Sequence, residues 1–200
     1  MIAGRALQVA SLAVLATPAL ASPDPAHPDL SFQGATLGMS LDAWRALPPP
    51  DGPATTSTAI CSAGAAASPA KPADRAVDCV YRRTYGRFAL QPAVTLPDGR
   101  RVTDIRYSFR DGRLAQIAYR LSVDAYESTV ARLDARFGSA SRVLRDTVRT
   151  PDGRLARVTR TWTAPGGVAQ LVDPVAPYAQ IEVRLSGPAV DAQAAAGQTH

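Results

Sequence analysis

The most reactive side chains in this chain are two cysteines, Cys61 and Cys79, and two histidines, His27 and His200. Cysteine can serve as nucleophile, metal ligand or half of a disulfide, and histidine as base or ligand. Position narrows the choice. His27 stands in a Pro-rich leader and His200 is the last residue, so neither is spaced to complete a metal site with the cysteines. A Ser-His-Asp arrangement needs a histidine inside the fold, and neither is placed there. A cysteine nucleophile would have to come from the pair itself. In an oxidising compartment such a pair predicts a Cys61–Cys79 disulfide, with a loop closure worth about 3 kcal/mol on the chain-entropy reading. No metal site is predicted. No cofactor is predicted either, because the P-loop and dinucleotide fingerprints are absent. The 17 Asp and Glu residues fall mostly in turns, caps and outward strand positions and form no recognisable catalytic constellation.

Arginine is the remaining chemical signal. The chain carries a formal charge of +5, with 22 basic residues of which Lys71 alone is lysine. Arg106, Arg110, Arg120 and Arg184 are predicted to project from one sheet face. The planar guanidinium fork suits carboxylates, phosphates and sulfates. An anionic envelope polymer, a lipid headgroup or an acidic protein surface could dock on such a patch. The alternative is a solvated sheet face, coloured by a genome that writes Arg for Lys. Nucleic acid is a poor candidate, given the export signal below and the lack of aromatics interleaved with the arginines.

The elements that must position these groups centre on residues 102–138. Ile105, Tyr107 and Phe109 alternate with Asp104, Arg106, Ser108 and Arg110, and Ala115, Ile117, Tyr119 and Leu121 alternate after Asp111-Gly112. A period of two marks half-buried strands. A two-residue loop at Asp111-Gly112 would pair Phe109 with Leu114 but Arg106 with Ile117. A three-residue loop, Arg110-Asp111-Gly112, pairs Phe109 with Arg113, Tyr107 with Ala115 and Ile105 with Ile117. It keeps most apolar side chains on one face and is preferred. The opposite face then carries Asp104, Arg106, Arg110, Gln116 and Arg120. A helix at about 123–137 follows, with Asp124 as N-cap, Glu127 completing a capping box, and Ser122 as the alternative cap. Tyr126, Val130, Leu133 and Phe137 form one helical stripe, read as core, and Gly138 stands at the C-cap.

Residues 1–21 have the layout of a secretory signal: Arg5 near the start, an apolar run from Ala6 to Ala16, and Ala19-Leu20-Ala21 as cleavage site. The apolar run is too short to span a bilayer as a helix. The mature chain is predicted to start at Ser22, without a lipid-anchored cysteine and without a membrane span, in the periplasm or outside. A flexible leader occupies 22–29 and a single α+β domain 30–186. Within it, Leu30 to Leu37 contributes a short strand. Ser40 caps a short helix at about 41–47 with Trp44 as core anchor, ended by Pro48-Pro49-Pro50. Residues 51–76 are poor in large apolar side chains and predict a long loop clipped by the disulfide, either functional or a solvated linker. Cys79 to Leu90 is strand-forming, with Gly86 at a bend. Asp-Gly-Arg recurs at 98–100, 111–113 and 152–154 as turn chemistry rather than as a repeat. Two further hairpins turn at 151–153 and 165–167. In the strand 180–186, Ile181, Val183 and Leu185 point inward and Gln180, Glu182 and Arg184 outward. A disordered tail, 187–200, follows. Arg160, between Val158 and Trp162 on one strand face, needs a carboxylate or carbonyl partner if that face is buried. On an edge strand it would instead reach past Trp162 to water.

The Phe32-Gln33-Gly34 and Leu37-Gly38-Met39-Ser40-Leu41 start, the paired cysteines, the hairpin from Phe109 to Leu114, the helix end Arg136-Phe137-Gly138 and the later strand with Trp162 together resemble small exported bacterial proteins of unknown function. The Leu-Gly-Met-Ser opening also resembles SmpA/OmlA-type outer-membrane assembly lipoproteins and β-lactamase-inhibitor-like modules. These motifs are turns, caps and core positions, so the resemblance implies an α+β envelope module and transfers no active site. The fold class is thus α+β: a single antiparallel sheet of hairpins with both helices on one face. The expected function is a non-enzymatic exported module that binds another envelope component through the open sheet face or the clipped loop. The alternatives are a hydrolase with a carboxylate-based site, which would show two converging Asp or Glu side chains in a deep pocket, and a purely structural or stress-related envelope protein.

Overall fold

The computed structural model describes residues 29–52, 57–63, 76–176 and 179–188. The predicted export segment 1–21, the predicted leader up to residue 28, both histidines, residues 53–56 and 64–75 of the predicted loop, and the predicted tail beyond residue 188 lie outside the described residues.

The two-residue turn Gln33-Gly34 joins strands β1 (Ser31–Phe32) and β2 (Ala35–Thr36). Helix α1 (Leu41–Arg45) starts at Ser40, whose hydroxyl accepts the Ala43 N–H at 3.2 Å, the cap expected from sequence. The prolines at 48–50 forbid its continuation. Trp44 is the buried residue of this helix.

Strands β3 (Thr58–Ala63), β4 (Ala76–Tyr85), β5 (Phe88–Leu90) and β6 (Val94–Thr95) come next. The expectation of a loop throughout 51–76 is corrected by β3, an antiparallel edge strand on β4 in which Cys61 stands directly opposite Cys79. The two cysteines are joined as a disulfide. An edge strand draws its order from backbone pairing with one neighbour, so it does not need the large side chains whose absence suggested a loop.

Strands β7 (Arg101–Arg110) and β8 (Arg113–Ser122) form the central hairpin. Its turn corrects the preferred three-residue loop. Arg110 faces Arg113 across Asp111-Gly112, at φ 50° and 72°, the two-residue turn whose twist suits a hairpin. Phe109 therefore pairs with Leu114. A register shift between Ser108 and Phe109 then takes up one extra residue of β8, and Tyr107 meets Ile117. That bulge keeps the apolar series on one face, the task for which the longer loop had been preferred. Leu114, not Ala115, heads the buried series Leu114, Ile117, Tyr119 and Leu121.

A 3-10 turn at Val123–Ala125 leads into helix α2 (Tyr126–Phe137). Asp124 is therefore not the N-cap. Ser122 is the N-cap of the 3-10 turn and Ala125 that of α2, and neither makes a side-chain capping bond. Pairing explains the shift: Ser122 is still a strand residue opposite Gln180, and the Val123 N–H donates to the Ala179 carbonyl at 3.0 Å. The chain turns helical immediately after, before Asp124 can be the extended residue a cap requires. Gly138, at φ 80°, ends α2 as expected, and its N–H donates to the Asp134 carbonyl at 2.9 Å.

Strands β9 (Arg142–Thr150), β10 (Gly153–Ala164), β11 (Gly167–Val175) and β12 (Gln180–Ser186) complete the chain. Two-residue turns at Pro151-Asp152 and Pro165-Gly166 join the first three. Gly167 is required by close approach: a Cβ there would lie 2.0 Å from the Ser186 carbonyl oxygen.

The structure is mostly antiparallel sheet with few helices, and there are two sheets rather than the single one expected. The larger has ten strands, with β3-β4-β7-β8-β12-β11-β10-β9 in order and β5 and β6 pairing at the side of β4 and β7. The smaller is the β1–β2 pair. Helix α2 carries the chain from the middle of the large sheet to its far edge, and three hairpin connections bring it back to β8. The helices and the β1–β2 pair cover one face, where a single apolar cluster runs from Trp44 to Trp162. Trp44 packs on Tyr81, Tyr107 and Phe109 at centroid distances of 5.1, 4.9 and 5.5 Å. Phe32 stacks on Tyr119 at 4.3 Å. In α2, Val130 and Leu133 are buried, with Tyr126 and Phe137 partly so.

Arg160 also differs from expectation. Strand β10 is interior, between β9 and β11, so the edge-strand reading fails. The guanidinium is half-buried on the covered face, and its Nε donates to Tyr126 Oη at 2.8 Å, a phenol in place of a carboxylate or carbonyl. The Tyr126 bond raises the Arg160 pKa. Next to it, the Trp162 indole N–H donates to Asp134 Oδ1 at 2.8 Å. These two bonds latch α2 to β10.

Candidate functional site

The open face of the sheet is set by cross-strand register. One row runs Arg106, Ala118, Arg184, Gln170, Thr161 and Arg142 across β7, β8, β12, β11, β10 and β9. The adjacent row runs Thr103, Arg120, Glu182, Val172, Thr159 and Leu144. The four arginines singled out from sequence thus share this face, but unevenly. Arg106 and Arg184 flank Ala118, and Arg120 is one row away. Arg110 stands at the turn end of the hairpin, beyond the Ser108–Gln116 pair.

Between β8 and the β9 edge this face sinks into a basin of about 770 Å³. Leu144, Val148, Val172, Pro174 and Val175 give it apolar surface, and Thr159, Thr161 and Gln170 give it neutral polar groups. The register of β11 shifts between Val172 and Val175, where Pro174 has no N–H to offer a ladder. Arg120 Nη1 donates to the Ala176 carbonyl at 3.0 Å and holds this end of β11 against the rim.

The charged lining comprises Arg120, Arg142, Arg157 and Arg184 against Asp146 and Glu182, four positive and two negative, a net of +2. Glu182 was expected to point outward into water. It lies on the open face, yet it is 7 % exposed. Arg120 Nε donates to its Oε2 at 3.1 Å, and Arg184 Nε donates to its Oε1. Arg120 also reaches Asp104 at 3.4 Å. Burial pushes the Glu182 pKa up, but the two guanidiniums more than offset this and hold it below the usual carboxylate range. Asp146 is held low by its bond from Arg157, whose own pKa is raised by the same bond. Among the described residues, Arg142 is the one basin arginine with no carboxylate within ion-pair distance.

Most of this site escaped the sequence reading: of its lining only Arg120, Glu182 and Arg184 were named, and Arg142, Leu144, Asp146, Val148 and Arg157 were among those not singled out. A signal existed. Counting back from a two-residue turn at Pro151-Asp152 sets Asp146 opposite Arg157, a complementary cross-strand pair. The same count places Leu144 and Val148 on that face beside Arg142.

Among the described residues no cluster of His, Cys, Asp and Glu is arranged to hold a metal ion, and no helix is long and apolar enough to cross a membrane. The Cys61–Cys79 disulfide is a bond that persists in an oxidising environment. No family model, curated protein or solved structure matches the chain.

Proposed function

We propose that this is an exported, non-enzymatic binding module, cleaved after Ala21 and acting in the periplasm or outside the cell. Its ligand would be an envelope component that presents an anionic group on an apolar body. The observation that carries the reading is the basin: apolar side chains ringed by four arginines, of which Arg142 has no carboxylate partner among the described residues, with a lining net charge of +2. An anion can bind Arg142, and the clamped Arg120 and Arg184 retain donors for a second bond. The apolar part of the ligand would cover Leu144, Val148 and Val172. The formed disulfide and the resemblance to exported bacterial proteins support the compartment.

The hydrolase alternative has one observation in its favour, since Asp146 and Glu182 line the same basin. Both are held ionised by arginine, however, so neither is poised as the proton donor that a carboxylate pair requires. A purely structural envelope role would leave the basin without a ligand.

Calorimetric titration with dodecyl phosphate, inorganic phosphate and dodecyl maltoside tests the proposal. Saturable binding of dodecyl phosphate is expected, at least tenfold tighter than either control and weakened several-fold by Arg142→Ser. Equal affinity for dodecyl maltoside, or an unchanged affinity in Arg142→Ser, would count against the basin as the site.

A further inference from the structure

The large apolar side chains left exposed are not scattered evenly. Tyr85, Phe88 and Leu90 are 50 %, 59 % and 56 % exposed, and all three stand on the β4–β5 hairpin. Tyr85 pairs directly with Phe88, and Leu90 pairs with Arg83. Cross-strand partners share a face and so do residues two apart, so Tyr85, Phe88, Leu90 and Arg83 project on the same side. Arg83 lies over the Tyr85 ring at 5.3 Å and Arg87 over the Phe88 ring at 5.2 Å. Arg82 lies on the other side of the ribbon, its Nη1 donating to the Ala89 carbonyl at 3.0 Å. From Val80 to Pro97 the chain has three arginines and no Asp or Glu. Arg83 has one carboxylate nearby, Asp51 at 3.8 Å.

We propose that this hairpin is a surface anchor for an anionic lipid bilayer. The Phe88 and Leu90 side chains would enter the boundary between headgroups and acyl chains. Tyr85 would sit at headgroup level, where a ring with a polar end is best solvated. Arg82, Arg83 and Arg87 would remain with the lipid phosphates, their stems lying along the rings. Charge complementarity selects this occupant, because a run of three arginines around an aromatic tip, of which Arg83 alone has a carboxylate within ion-pair distance among the described residues, matches an anionic interface. A second copy of the chain would bring the same positive charge. The anchor is separate from the basin, which lies between β8 and the opposite edge of the sheet.

Co-sedimentation of the mature, oxidised chain with vesicles tests it. Vesicles of phosphatidylglycerol and phosphatidylcholine in equal parts would be compared with pure phosphatidylcholine at low and moderate salt. The mixed vesicles are expected to take up the protein at least tenfold more strongly, with the difference shrinking as salt rises. Phe88→Ser with Leu90→Ser should cut uptake at least tenfold while leaving the thermal midpoint unchanged, since both side chains are already exposed. Arg87→Glu provides a second variant that leaves the apolar side chains intact and should also lower uptake. Arg149→Ser, which removes an exposed arginine of β9 outside both the hairpin and the basin lining, should bind vesicles as the parent chain does. The proposal is overturned by equal uptake on neutral vesicles, by full uptake of the hairpin variants, or by loss of uptake in Arg149→Ser. It also falls if the hairpin variants change the mass of the protein in the absence of vesicles, which would make the hairpin a self-association surface.

Discussion

Strand β12 shows the two faces of this molecule side by side. Ile181, Val183 and Leu185 point into the covered face, each at most 2 % exposed, among aliphatic and aromatic neighbours. Glu182, between them in sequence, points to the other face and is nearly as buried, yet its environment is two guanidiniums and the rim of a basin. One face is closed by shape and holds the fold together. The other is closed around charge and still has room for a ligand. Burial alone therefore does not distinguish a structural residue from a site residue; the partner does. The comparison implies that substitutions on the covered face act on stability, and that those on the open face act mainly on pH response and binding.

The largest effect is expected at Trp44. It is fully buried, and three aromatic rings pack on it with centroids within 5.5 Å. Trp44→Ala should cost about 3–5 kcal/mol in denaturant unfolding. A loss below about 1 kcal/mol would mean the covered face is not the stabilising one. The disulfide ranks next. Its cysteines are 18 residues apart, and replacing both by Ser should cost about 3 kcal/mol on the chain-entropy reading. Chemical denaturation of the oxidised and the reduced chain would check this, and equal midpoints would show that β3 holds by pairing alone.

The two faces were also unequally legible. Strand 180–186 is correct to the residue because its alternation is unbroken. The Trp44 helix and its Ser40 cap were legible because capping is a local event. Strand β8 was read in the wrong register at its turn because one bulged residue, near Ala115, has no signature of its own in a run of small and polar side chains. Strand β3 was missed because a pairing partner, not its own side chains, keeps it extended. The basin was out of reach for a different reason. Arg120 and Arg142 meet on one surface only because the order β8-β12-β11-β10-β9 brings the far edge back toward the centre. Strand order is a property of the whole chain, and no local pattern encodes it. The Asp146–Arg157 pair was within reach of a count along one hairpin, but the Arg120–Glu182 contact, between residues 62 apart in sequence, was not.

Glu182 should give the open face its clearest stability signal. Its folded pKa lies below the ordinary value of an unfolded glutamate. The stabilisation it contributes is thus fully present above that value and is lost as pH falls through the folded pKa. Glu182→Gln should lose about 2 kcal/mol at neutral pH, since a charged acceptor for two guanidiniums becomes a neutral one. Below the folded pKa the gap between variant and parent should shrink, because there the parent's carboxyl is protonated too. Urea unfolding across this pH window measures both. A gap that stays constant as pH falls would assign the cost to packing and place Glu182 with the covered-face residues.

Asp146 should give the smallest stability change and the most direct test of what the open face does. Its ion pair with Arg157 is partly solvated, with side-chain exposures of 34 % and 36 %. A pair of that kind contributes about 0.2–1 kcal/mol, so Asp146→Asn should unfold nearly as the parent does. Removing the carboxylate takes the basin lining from +2 to +3 and leaves Arg157 free to meet a ligand. Dodecyl phosphate should therefore bind about two- to fivefold more tightly to Asp146→Asn, the gain implied by one added charge at a partly solvated site, and the gain should fade at high salt. Arg142→Ser moves affinity in the opposite direction, and the two variants together bracket the electrostatic contribution. If Asp146→Asn instead weakens binding while its stability is unchanged, the carboxylate would be a contact for a cationic or hydroxylated ligand, and the sign assigned to this face would have to be reversed.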